Sequence, residues 1–112
     1  DGDFNYSPGS VWTAAHHNLP ILTIMHNNRA YHMELMYLQF MAGVRGRGTD
    51  RAEIGTTFRD PYINYAKLAE GYGVKSEGPI SDPNELSAAL ARGVESVSNG
   101  EPYLIDVLTQ PR

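Results

Sequence analysis

One run constrains this chain more than any other: Ile21-Leu22-Thr23-Ile24-Met25, set between Pro20 and the amides Asn27 and Asn28. It has the length of a strand and shows no alternation of apolar and polar residues. That is the pattern of a strand covered on both faces, as in a parallel sheet. Parallel strands need long crossovers, usually helices, and helical patterns flank this run on both sides. The predicted fold class is therefore α/β, a three-layer arrangement with a mainly parallel sheet flanked by helices. In such sheets ligands bind in the crevice outside the carboxyl ends of the strands. His26-Asn27-Asn28 marks that end of the run, and Asp1 opens the turn leading into the first helix. Asp1 and Asn28 can thus meet across one crevice. A carboxylate and an amide oxygen are hard donors that suit Mg²⁺, an ion that commonly shares its shell with substrate phosphates. The stretch from Asp1 to His32 predicts half a site for a magnesium diphosphate.

The remaining elements follow from periodicity and caps. Ser7-Pro8 reads as the start of the first helix, with Ser as N-cap and Pro at the first helical position. Val11, Ala14, Ala15 and Asn18 form its small-residue face, and Asn18 with Pro20 ends it. Tyr31 to Met41 reads as a helix that is apolar almost all round (Met33, Leu35, Met36, Tyr37, Leu38, Phe40), so it should be buried or lie at an interface. Positions 42–58 contain four glycines, three arginines and no period, which predicts a loop, functional or merely solvated. Asp60-Pro61 reads as the cap of the next helix, with Ile63, Ala66, Ala69 and Tyr72 as its buried face. Val74 begins a short strand. Asp82-Pro83-Asn84-Glu85 combines N-cap, first-position Pro and capping-box Glu, opening a helix with the stripe Leu86, Ala89, Leu90, Gly93, Val94, Val97. Tyr103 to Leu108 is the last strand.

Size and charge bound the function. With 112 residues and 41% apolar content, the chain fits one domain with one core. No apolar run approaches the roughly 18 residues of a membrane span, so no membrane partner is expected. A formal net charge of −4 argues against general nucleic-acid binding, which needs a basic surface. The absence of cysteine excludes disulfides and thiolate metal sites, and suits a cytoplasmic protein. Adjacent His16 and His17 point in different directions on a helix and read as structural. His32, at a helix start, is the histidine to watch.

Asp1-Gly2, followed about two dozen residues later by Asn27-Asn28, resembles the cofactor motif of the thiamin-diphosphate-dependent superfamily that includes acetolactate synthase, benzoylformate decarboxylase and pyruvate decarboxylase. The resemblance extends through Asn5-Tyr6-Ser7, Val11 to Ala15, Tyr65 to Val74 and Pro102 to Val107, and so covers nearly the whole chain. Asp3 stands where the family usually has a small residue, and His32 where many members have Gly. The resemblance implies a C-terminal diphosphate-binding domain over 1–112, truncated at its N-terminus, with the strand that delivers Asp1 lying upstream.

It also implies the site. Asp1, the Asn28 side chain and the Ala30 carbonyl become the Mg²⁺ ligands, leaving places for two phosphate oxygens and a water. Gly2, Asn28, Ala30, Tyr31, His32 and Met33 become cofactor-binding positions, with backbone N–H groups near His32 and Met33 as anion donors. The implied activity is decarboxylation of a 2-keto acid by the cofactor's thiazolium ring, followed by transfer of the acyl-anion equivalent to a second carbonyl compound, as in acetolactate synthases. The Ile80 to Pro83 and Val107 to Arg112 segments tilt the resemblance towards that branch. A simple decarboxylase of the benzoylformate type and a non-catalytic phosphate-binding module remain alternatives. The glutamate that activates the cofactor belongs to a pyrimidine-binding domain, contributed by a second subunit of a homo-oligomer, so no catalytic residue is assigned here. The segment 42–58 corresponds to a region that helps close the active site.

Overall fold

The computed structural model describes residues 1–110; the last two residues of the Val107 to Arg112 segment fall outside it. The elements run α1 (Gly2–Tyr6), α2 (Ser10–His16), β1 (Leu22–Asn27), α3 (His32–Val44), α4 (Tyr65–Gly71), β2 (Lys75–Ile80), α5 (Pro83–Ser98) and β3 (Tyr103–Leu108). The three strands form one all-parallel sheet in the order β1-β3-β2, with Leu22 and Lys75 both in register with Tyr103. The α/β fold expected from the strand pattern is the fold observed.

Alternation along central β3 builds the two faces. Leu104 joins Val11, Met25, Tyr65, Ala69 and Val74 in one core, against which Phe4 and Ala15 pack. Ile105 joins Ile80 and Ala89 in the other, under Leu22, Leu90 and Val107. Helices α1, α2 and α4 thus lie on one side and α5 on the other, giving three layers. Gly93 belongs to this packing: a Cβ there would sit 2.6 Å from a Leu22 methyl, which would have to move to make room for it.

Several boundaries differ from the sequence reading. Ser7 does not start a helix; it ends α1, whose own N-cap is Asp1, and α2 begins after Gly9. The Asp1 carboxylate reaches the Gly2 N–H and nucleates a separate turn that the Ser-Pro signal hid. Asp60-Pro61 does not cap α4. Asp60 is in the left-handed region at φ 59, and the cap is Asn64, whose side chain accepts from Lys67 N at 2.8 Å. The Asp82 cap does hold, accepting from Asn84 N at 2.9 Å, although Val94 in the expected stripe is exposed.

One burial expectation fails, and one of the two alternatives for α3 drops out, for the same reason. β1 is not covered on both faces: Met25 and Asn27 are buried, but Ile24 and His26 are exposed. β1 is an edge strand of the sheet, and two-sided burial belongs to β3 in the middle. Likewise α3, apolar nearly all round, has no buried residue, and Met33 and Phe40 are 75% and 64% exposed. Burial needs a neighbouring element, and none among the described residues covers α3, which leaves the interface alternative. The non-periodic stretch after α3 forms turns without a helix or strand, returning as an antiparallel bridge between Ala30 and Thr57.

Candidate functional site

The site grows out of the end of β1. Asn28 folds its side chain onto the turn, its Oδ1 accepting from Ala30 N at 3.1 Å, the local bond that makes Asn a turn residue. Arg29 takes the left-handed conformation at φ 62, uncommon for a residue with a side chain. That twist aims the Arg29 N–H inward, where it meets Asp1 Oδ2 at 2.5 Å and Asn27 Oδ1 at 3.3 Å. Asp1 Oδ1 accepts from Gly2 N at 2.9 Å, and the Asp1 nitrogen donates to the His26 carbonyl at 3.2 Å. Asp1 is therefore tied to the carboxyl end of β1 despite its distance in sequence.

The chain beyond the turn is braced from outside. Tyr31 N donates to the Thr56 carbonyl at 2.7 Å and Phe58 N to the Arg29 carbonyl at 2.8 Å. The segment read as a loop thus holds the turn in place. No hydrogen bond among the described residues ends on the Ala30 carbonyl. Helix α3 then starts at His32.

Beneath this turn lies a carboxylate that sequence reasoning missed. Asp106, on central β3, is fully buried; its Oδ1 accepts from Asn27 Nδ2 at 2.9 Å and its Oδ2 from Tyr65 N at 3.4 Å. Burial raises its pKa above the ordinary carboxyl value, while the Asn27 bond, the Tyr65 N–H and nearby positive charge pull it back. Tyr65 in turn carries α1: its hydroxyl accepts from Asn5 Nδ2 at 3.0 Å, and its ring meets Phe4 edge-on with centroids 5.6 Å apart. One buried acid therefore supports both Asn27, beside the turn, and the helix that bears Asp1. The available signal was an acid inside Leu104-Ile105-Asp106-Val107, a run otherwise fit for a central strand.

The structure gathers the sequence-predicted positions along one cavity of about 480 Å³, lined by Asp1, Gly2, Asn28, Ala30, His32 and Met33 together with Tyr31. Asp3 borders it too, but is exposed. His16 and His17 are exposed; His16 stacks on Trp12 at 4.8 Å, in keeping with a structural role. Gly2 serves a purpose not foreseen: a Cβ there would lie 2.6 Å from the Tyr31 ring, so its bareness makes room for Tyr31. Among the described residues no group of three or more His, Cys, Asp or Glu side chains could hold a metal ion. A set made of one carboxylate, one amide oxygen and one carbonyl is of a different kind, and its hard oxygens match Mg²⁺. The free carbonyl of Ala30 fits that set. His32 borders the same cavity, and its two ring nitrogens are buried without a hydrogen-bond partner among the described residues.

Comparison with known proteins gives a consistent picture. Residues 1–107 match the family described as thiamine pyrophosphate enzyme, C-terminal TPP binding domain. The chain is 30% identical over 111 residues to a probable acetolactate synthase large subunit of Methanococcus aeolicus, covering 99% of this chain and 16% of that protein. It is 29% identical to the probable acetolactate synthase large subunit of Methanocaldococcus jannaschii, covering 99% of this chain and 17% of that protein. It is 30% identical to the putative acetolactate synthase large subunit IlvX of Mycobacterium tuberculosis, covering 96% of this chain and 20% of that protein. The chain thus spans no more than a fifth of the length of these relatives.

Proposed function

We propose, for a chain that belongs to the thiamine pyrophosphate enzyme family as a C-terminal TPP binding domain, that the cavity at Asp1 and Asn28 holds the magnesium diphosphate of thiamin diphosphate. The observation that supports this reading is that Asp1, Asn28 and Ala30, the last with a carbonyl that accepts no hydrogen bond among the described residues, line one cavity at the amino end of α3. Asp1, the Asn28 side chain and the Ala30 carbonyl bind Mg²⁺ through oxygen. The backbone N–H groups opening α3 at His32 and Met33 face the diphosphate, where the helix end favours negative charge. Gly2 and Tyr31 shape the floor, and the His32 imidazole supplies a buried polar partner for a phosphate oxygen.

The larger enzyme, on this reading, is acetolactate synthase-like: it decarboxylates a 2-keto acid and passes the acyl-anion equivalent to a second carbonyl compound. The cofactor supplies the electron sink for that chemistry; the protein binds and orients it. The names carried by the relatives support this branch. A pyrimidine-binding domain, contributed by a second subunit of a homo-oligomer, completes the pocket. The exposed Met33, Met36, Tyr37 and Phe40 of α3 support such a partner, because an apolar surface of this kind marks an interaction site.

Titration calorimetry of this chain with thiamin diphosphate tests the reading, with MgCl₂ or with a chelator present. Binding is expected only with Mg²⁺, weakened about tenfold or more by Asp1→Asn and by Asn28→Ala. Equal binding in chelator, or in both variants with their far-ultraviolet spectra intact, sinks the assignment. CO₂ release from pyruvate by this chain alone is expected to be absent; turnover would refute the proposed division between domains.

A further inference from the structure

A second cavity, of about 510 Å³, shares Asn28 and His32 with the first but borders neither Asp1 nor Gly2. Its wall includes Arg29, Arg59, Thr57, Tyr62 and Thr109, with Leu35 and Leu108 as apolar sides. Three features mark it as more than a surface fold. First, Arg29 has no carboxylate partner among the described residues; its guanidinium carbon lies 3.9 Å from the centroid of the Tyr62 ring. Stacking of this kind holds a guanidinium in place while leaving its in-plane N–H donors free. Second, Thr109 Oγ1 is buried without a hydrogen-bond partner among the described residues. Buried polar atoms are nearly always paired, so an orphaned hydroxyl on a residue of the cavity wall indicates where a ligand oxygen belongs. Third, the charges lining the cavity are Arg29, Arg59 and Glu53, a net of one positive charge with histidine neutral.

We propose that this cavity binds a small aliphatic monocarboxylate, with Arg29 as its charge partner. The carboxylate takes N–H donors from the Arg29 guanidinium and the O–H of Thr109, and the aliphatic body lies between Leu35 and Leu108. Arg59 lies 3.5 Å from Glu53 in a largely exposed pair, so its charge is partly spent and its contribution is smaller. The same pair disfavours inorganic phosphate: a dianion would face Glu53 with one net charge to meet two, and has no apolar body to cover the leucines. The inference does not use Asp1, Gly2 or a metal ion, and stands apart from the cofactor reading.

The test is a series of ¹H–¹⁵N spectra of this chain titrated separately with sodium isovalerate, isovaleramide and sodium phosphate. Isovalerate is expected to give saturable shifts at the amides of Arg29, Thr57, Leu108 and Thr109, with isovaleramide and phosphate at least about tenfold weaker. Arg29→Gln is expected to weaken isovalerate about tenfold, Arg59→Gln about threefold, and Arg47→Gln, outside the cavity, not at all. Shifts elsewhere, or equal affinity for the neutral amide, would overturn the proposal. Equal affinity for phosphate would overturn the carboxylate assignment. If Arg29→Gln loses its dispersed spectrum, Arg59→Gln decides: an affinity unchanged from the original chain overturns the site. Addition of thiamin diphosphate with Mg²⁺ to the same sample reports on the Asp1 cavity independently, so either reading can fail without the other.

Discussion

Helices α3 and α5 make opposite use of their apolar residues. α5 has a modest stripe and buries Ala89 and Gly93 against the sheet. α3 has Met33, Leu35, Met36, Tyr37, Leu38, Phe40 and Met41, and buries none of them. Apolar content therefore did not decide which helix joined the core. α5 follows β2 and leads into β3, so its crossover lays it across the sheet, and the missing side chain of Gly93 lets it come close. α3 leaves the edge strand β1 through the Asn28 turn, and no element among the described residues covers its apolar side chains. A narrow stripe matched to a neighbour is buried; a wide one without a neighbour is left exposed.

The sharpest way to test that contrast is to compare losses in the two regions. Asp106→Ala should remove about 3–4 kcal/mol of unfolding free energy, because the Asn27 amide and the Tyr65 N–H lose their buried acceptor and a void remains. Urea denaturation followed by circular dichroism measures it. A loss below about 1 kcal/mol would mean that the polar support under the site is dispensable.

A second test uses the same position and pH. The folded pKa of Asp106 is raised from 3.8, chiefly by burial, so the folded state holds this proton where the unfolded chain has released it. By linkage the native state binds more protons in that interval, and stability falls as pH rises from 3.8 through the raised folded value. Above that value the penalty is constant. Asp106→Asn does not titrate, so the difference between the original chain and this variant should shift against the original chain across the window and then level off. Denaturation at a series of pH values from about 3 to about 7 reads it. A difference moving in favour of the original chain with rising pH would contradict burial as the dominant cause.

The smallest effect belongs to α3. Met36→Gln with Phe40→Gln should change stability by no more than about 0.5 kcal/mol, since neither side chain is buried. Self-association, read by sedimentation equilibrium, should fall. A large loss of stability with no change in association would show that α3 is packed within this chain, and the contrast with α5 would be lost.

Much of the local geometry at the candidate site was legible because its signals are local. The amide of Asn28 turning back on Ala30, the acid at Asp1 and the helix start at His32 each follow from residue type and neighbours in sequence. Asp106 was not legible as part of it. Its partners Tyr65 and Asn27 lie 41 and 79 residues away, and nothing in Leu104-Ile105-Asp106-Val107 says what an acid there will touch. The same holds for Gly2, whose reason is the Tyr31 ring.

The sequence by itself determined the α/β class, the strand at Tyr103–Leu108 and the cap at Asp82. Strand and helix periods and caps act over a few residues, so they can be read without knowing the fold. Only the tertiary structure decided that β1 is an edge and β3 the centre, that α3 is left uncovered, and that Asp106 is the buried support beneath the turn. Burial and the partners of a buried acid are properties of neighbours brought together by chain crossovers, and no local pattern specifies which neighbours those will be.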